Sequence, residues 1–235
     1  MAKAACGTCR GCGGDRTGCY EEIFENNDVL AETQPLGENA NSEASGPLAT
    51  TVLEKIEIKG RAPKTGYDRA EQFYKTWPTV EGCNLRQRIL KRELGETAKL
   101  DTDNCTVLSG EFDESYTGQY LIFYQKSDLS KGVQIDHVVA LSDACAQRLT
   151  QDERYSLATD PLNLLAVDSN ANQQKSDGDA ATWLPKNKGF RCQYVARQVS
   201  VKYKYNLWVT QAEHDAIARV LETCPSEIAP GIELE

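Results

Sequence analysis

Histidine is scarce in this chain. There are 2 in 235 residues, with 1 methionine and 3 tryptophans, so imidazole chemistry rests on His137 or His214. No apolar run approaches the roughly 18–20 residues that a membrane-spanning helix needs. The opening "MAKAACGTCRGC" lacks the apolar core of a secretory signal. As written, the chain therefore reads as soluble and without an export signal. Internal repeats are absent too. Acidic residues are missing from one long window, between Asp179 and Glu213, which holds Lys186, Lys188, Arg191, Arg197, Lys202 and Lys204. A stretch of one sign suits a phosphate backbone, although a solvated helix face has the same composition.

The net charge of −9 argues against a nucleic-acid partner until its distribution is followed. Residues 1–60 carry 5 basic and 10 acidic side chains, and residues 226–235 carry 3 acidic and no basic ones. Residues 61–225 are nearly balanced, with 21 basic against 22 acidic. The ends thus hold most of the acidity. Residues 1–20 are rich in cysteine and glycine, and 21–60 read as an acidic linker, largely disordered. Within it, "TTVLEKIEIKG" alternates apolar and charged residues and reads as a short strand or the start of the folded body. Residues 61–225 form the main domain, and 226–235 an acidic tail.

In that domain, "CNLRQRILKREL" places Leu85, Ile89 and Leu90 at helical spacing, with Gly95 as the stop. "TVLSGEFDESYTGQYLIFY" reads as a β-hairpin around "DESYTG". A strand over about 134–141 and a second over 162–167 are followed by a helix from about 169. Ser142 and Thr150 are good N-caps for two short helices between the strands. Two closing helices follow, and Trp183 and Trp208 read as core residues. The fold class is α+β.

Asp136 and His137 interrupt the apolar strand "QIDHVVAL". Burying a charge there is costly unless it is paired or metal-bound. Asn163 and Asn172 lie on the second strand and the following helix. A carboxylate and an amide oxygen are hard ligands suited to Mg2+ or Mn2+. A neutral imidazole can take a proton from an attacking water. Asp136 and Asn172 are therefore the candidate metal ligands, His137 the general base, and Asn163 the residue that fixes the ring or its loop. Lys175, one turn after Asn172, is in reach of a phosphate or is simply solvated. His214 has no partner motif and reads as structural. A regular strand sends Asp136 and His137 to opposite faces, so the strand is expected to end or bend near Asp136.

These residues resemble the HNH, or ββα-metal, endonucleases. "NQQKSD" is similar to the end of that motif in RNA-guided DNA nucleases. The segments "GYDRAEQFYKTW", "QIDHVVALSDAC" and "TDPLNLLAVDSNANQQKSDGDAATWLPKNK" are similar to secreted bacterial HNH nucleases and to the nuclease domain of type IV restriction enzymes that cut modified DNA. The resemblance covers about residues 66–224. It implies an HNH core with an additional β-hairpin and surrounding helices, and metal-dependent hydrolysis of phosphodiesters in DNA. It carries over the roles given to His137, Asp136, Asn172 and Asn163. Arg86 matches a family arginine and, with Lys175, Arg191 and Arg197, is a candidate substrate contact. The resemblance also implies Cys83–Cys105 and Cys192–Cys224 disulfides, with Cys145 a free buried thiol where relatives have tryptophan. Secretion follows from the same likeness and conflicts with the missing signal, which leaves a cytoplasmic alternative. Two rivals stand beside this reading: a non-catalytic nucleic-acid- or zinc-binding adaptor on the same scaffold, and an RNase or toxin.

Cys6, Cys9, Cys12 and Cys19 supply four thiolates, enough for one tetrahedral Zn2+. Their spacing within fourteen residues differs from the two separated pairs of a zinc ribbon. A tail with free or disulfide-linked cysteines is the alternative. Nine cysteines in all leave at least one unable to pair within the chain.

Overall fold

The computed structural model describes residues 46–63, 67–126, 132–147 and 149–234, with the side chains of residues 145 and 146 left aside. The expectations for Cys6, Cys9, Cys12, Cys19 and the Cys145 thiol therefore lie outside the described atoms.

The folded body starts earlier than residue 61. Helix α1 (Ala49–Leu53) buries Ala49, Val52 and Leu53. These three stand at i, i+3 and i+4, one helical face. That spacing prevails over the strand-like alternation that begins just after it, because it lets the segment pack into a core with Val195, Val199, Ile217 and Leu221. The acidic tail belongs to the same body. Ala229 and Ile232 are buried, and Leu48 bridges Ile228 in antiparallel fashion.

Helix α2 (Arg69–Gln72) is short and capped by the Asp68 carboxylate, which accepts from the Ala70 and Glu71 amides. The two-residue strands β1 (Thr79–Val80) and β2 (Cys83–Asn84) turn the chain into α3 (Leu85–Leu94). Gly95 stops α3 at φ 53°, a left-handed conformation that glycine adopts without strain. Strands β3 (Lys99–Leu100), β4 (Val107–Asp113) and β5 (Tyr120–Tyr124) form an antiparallel sheet in that order. The "DESYTG" hairpin is thus present, and its inner face meets α3 in a second core of Leu85, Ile89, Leu90, Val107 and Phe123.

Strand β6 (Val133–His137) is followed by α4 (Leu141–Ala146) and α5 (Gln151–Thr159). Thr150 caps α5 through a reciprocal capping box with Glu153, whereas Ser142 lies inside α4 rather than at its cap. Strand β7 (Leu164–Asp168) pairs antiparallel with β6, and α6 (Ser169–Lys175) follows at once, capped by Asp168. Helices α7 (Arg191–Lys204) and α8 (Gln211–Leu221) close the body. Trp183 packs against the first core, whereas Trp208 is half-buried outside the core clusters, its indole N–H donating to the Gly60 carbonyl and its ring lying under the Lys59 ammonium.

Both implied disulfides are formed. Cys83–Cys105 has a Cα–Cα distance of 5.4 Å and Cys192–Cys224 one of 6.4 Å. The second joins the start of α7 to the end of α8 across 32 residues. The chain-entropy argument gives such a loop roughly 3–4 kcal/mol. The Cys192→Ser/Cys224→Ser double variant is expected to lose about that much in urea denaturation. A loss below about 1 kcal/mol would show that helix packing alone holds α7 to α8.

Candidate active site

Strand β6 delivers Asp136 and His137 in regular register. Asp136 pairs with Leu165 and His137 with Leu164, without a bulge. Of the two expectations, an end or a bend near Asp136, the first is met: the strand ends at His137, and a cleft of about 500 Å³ wraps that end. Tyr67, Arg69, Asp136, His137, Asn172 and Asp177 are among its walls. The strand terminus thus brings two residues from opposite faces to one rim.

On one face, Gln134 and Asp136 point toward α6, as alternation requires. The Asn172 side-chain amide donates to Gln134 Oε1 at 2.9 Å, which leaves Asn172 Oδ1 as the free acceptor of that amide. Asp136 is buried, and both of its oxygens have protein partners while keeping acceptor capacity toward the cleft. It accepts from the Tyr116 hydroxyl at 2.6 Å and from Lys175 Nζ at 3.0 Å. Burial and the Asp136 charge push the Tyr116 phenol well above its ordinary range, so it stays a donor. Lys175 Nζ also donates to the His137 carbonyl at 2.8 Å, and the Lys175 side chain has no exposed surface.

On the other face, His137 Nε2 lies 3.0 Å from the Ala158 carbonyl and 3.1 Å from the Tyr74 hydroxyl. A carbonyl only accepts, so Nε2 carries the proton and Nδ1 is the basic nitrogen. No partner for Nδ1 is present among the described residues. Trp77 stacks parallel to the ring at 5.8 Å. Burial, the largest cause, pulls the imidazole down to about 3 despite the favourable bond to Ala158, while the Arg69 and Lys175 charges push the same way. His137 is therefore neutral at ordinary pH, the form a general base requires.

Asn163 is fully buried between strand and loop. Its Oδ1 accepts from the Val139 amide at 2.8 Å, and its Nδ2 reaches the Val139 and Leu157 carbonyls at 3.3 Å. It holds the backbone just after His137 and does not touch the ring. After α6, Ser176 takes a positive φ of 50°, unusual for a non-glycine residue. The turn brings Ser176 and Asp177 into the cleft wall, where the Ser142 hydroxyl meets Asp177 at 3.3 Å.

The four candidate substrate cations do not gather here. Lys175 is consumed by the Asp136 ion pair, which corrects its reading as a phosphate contact. Arg86 is mostly buried and donates to the Val133 carbonyl, and burial lowers its guanidinium from the ordinary range. Arg197 is half-buried and donates to the Leu162 carbonyl, and burial lowers its guanidinium too. Arg191 donates to the Pro185 carbonyl and lines a different cleft. The cation that does line the His137 cleft is Arg69, which is exposed and in no ion pair among the described residues. Its signal was present in "GYDRAEQFYKTW", where the aromatic residues drew attention to packing instead. Gln134 was legible as well, two residues before Asp136 and so on its face. Tyr116 was not.

The chemistry of the donor set suits a hard divalent cation. Asp136 offers a carboxylate at the cleft and Asn172 an amide oxygen that has no partner among the described residues, while Lys175 already offsets part of the Asp136 charge. Among the described residues, the one cluster of cysteine, histidine or acidic groups with metal-like spacing is Cys192, Cys224 and Glu227. Its two sulfurs are spent in the disulfide.

The α+β fold thus gathers His137 and Asp136, from the end of β6, and Asn172, from α6, at one open cleft. Residues 85–220 match the family described as "GmrSD restriction endonucleases, C-terminal domain". That span is more than half of the chain, and the protein belongs to this family. It is also 34% identical over 202 residues to an "Uncharacterized secreted protein" of Arthroderma benhamiae, covering 83% of this chain and 94% of that one. No solved structure matches.

Proposed function

We propose that the protein is a metal-dependent endonuclease of the HNH type that hydrolyses phosphodiester bonds in DNA. The observation that carries this reading is the tautomer of His137. With Nε2–H committed to the Ala158 carbonyl, Nδ1 is left at the cleft as a neutral base. It takes a proton from the attacking water, and Trp77 stacking and the Ala158 bond keep the ring oriented during the transfer. Asn163 acts as a positioning residue by fixing the backbone at Val139. Arg69, on the facing wall, binds a non-bridging phosphate oxygen and so replaces Lys175 as the substrate cation. Asp136 and Asn172 would hold one Mg2+ or Mn2+, which supplies charge neutralisation at the scissile phosphate and leaving oxygen. The two disulfides and the likeness to a protein named as secreted support action in an oxidising, extracellular setting.

Plasmid nicking tests this directly. Supercoiled DNA is expected to be cut with Mg2+ or Mn2+, and cutting is expected to cease with excess EDTA and return on adding metal. Asn172→Ala is expected to require a higher metal concentration. Failure to cut DNA or RNA under any divalent metal would favour the non-catalytic adaptor, whereas RNA cleavage alone would assign an RNase.

A further inference from the structure

The acid-free window between Asp179 and Glu213 divides in the fold. Lys202 is buried against Asp143 and Glu213, Lys204 pairs with Asp160, and Arg197 is tied to a carbonyl. Lys188 and Arg191, the latter also donating through Nε to the Pro185 carbonyl, line a second cleft of about 400 Å³, where Arg219 from α8 joins them. No carboxylate lines it, and its apolar floor includes Ala180, Leu184 and Val220. None of the three cations is in an ion pair among the described residues, whereas Arg61, Arg88, Lys175, Lys202 and Lys204 all are. The acids nearest Arg219 in the chain are Glu222, at the C-terminal cap of α8, and Asp215, one turn before it; Asp215 feels the Arg219 charge, and its carboxylate also accepts from Gln211 at 2.8 Å. Three positive charges without a close ion-pair partner in one concavity attract a polyanion.

We propose that this cleft binds the phosphodiester backbone of a nucleic-acid strand outside the scissile site. The inference deepens the nuclease reading and rests on it. Two features support it beyond charge. The Cys192–Cys224 disulfide joins the residues next to Arg191 and Thr223, so the two walls of the cleft are covalently held. The segment that lines the His137 cleft with Ser176 and Asp177 also lines this one with Ala180 and Ala181. The three residues from Asp177 to Ala180 span at most about 11 Å. A strand carries one phosphate per roughly 3.4 Å of helix axis. The near edges of the two clefts are thus separated along this segment by no more than the length of a few nucleotides of backbone.

The test is the Lys188→Ala/Arg219→Ala double variant, which removes two exposed, unpaired side chains. Binding of a 30-base-pair DNA duplex and of a 30-nucleotide RNA is measured in EDTA between 50 and 200 mM salt. Each lost phosphate contact lowers the slope of log affinity against log salt by about 0.9. A slope shallower by about 2 is expected, with roughly tenfold weaker binding at low salt. That loss with either probe supports the site, and unchanged slopes and affinities with both overturn it. Hydrolysis of bis(p-nitrophenyl) phosphate, too small to bridge the clefts, reports the catalytic centre separately. If neither protein hydrolyses this diester or DNA, the nuclease reading fails while the binding comparison still decides the site.

Discussion

Lys175→Met is expected to cost about 3–5 kcal/mol of folding stability, the range for removing one partner of a buried ion pair. The Lys175 side chain has no exposed surface, and its ammonium bonds both Asp136 and the His137 carbonyl. Methionine fills a similar volume, so the loss isolates charge from packing. What remains is a buried carboxylate held by the Tyr116 hydroxyl alone. Urea denaturation of Lys175→Met, Asp136→Asn and the double variant forms a cycle that separates the pair from its surroundings. The double variant is expected to recover a large part of the loss, because an amide needs no counter-charge. A loss below about 1 kcal/mol for Lys175→Met would return the residue to the solvated, substrate-facing role suggested by its place in "NQQKSD". The distinction matters for mechanism. A lysine built into the floor pairs with Asp136 and fixes the end of β6, and among the described residues Arg69 is the cation left to meet a phosphate at that cleft.

Lys175 also marks where sequence legibility stopped. The elements that bear the site were readable because their signals are short-range: the apolar spacing of α3, the turn residues of the β4–β5 hairpin, and Asp168 ahead of α6. The candidate quartet was readable for the same reason, since Asp136–His137 and Asn163–Asn172 each lie on one local frame. The inward turn of Lys175 was not, because its partner lies 39 residues away and both orientations fit the same helix face. Tyr116 sits 20 residues before Asp136 inside a hairpin turn, and nothing local signals a buried phenol there. In α1, two periodicities competed. The alternation of "LEKIEIKG" suggested a strand, but Ala49, Val52 and Leu53 had a core to bury into, and a core is a tertiary fact. The tail misled through composition, because three glutamates concealed Ala229 and Ile232, which are buried.

His137→Ala is expected to lower the cleavage rate by about 10²–10⁴-fold, the usual worth of a positioned general base. DNA affinity measured without divalent metal is expected to stay within about twofold. The split between rate and binding separates loss of the base from loss of the fold, and circular dichroism of the variant checks the latter. Tyr74→Phe is the informative companion. The Tyr74 hydroxyl approaches Nε2 at 3.1 Å and also donates to the Ala158 carbonyl at 3.2 Å. If the tautomer is set by the carbonyl, removing the hydroxyl leaves the Nε2–H···O bond intact, and the rate falls only a few-fold. If the phenol were the controlling partner, Tyr74→Phe would approach the His137→Ala loss. Full activity in His137→Ala would sink the mechanism outright, since no other histidine lines the cleft. The scarcity of histidine makes this a clean experiment: His214 lies beside Asp215 on α8, and substituting it controls for any general effect of losing an imidazole.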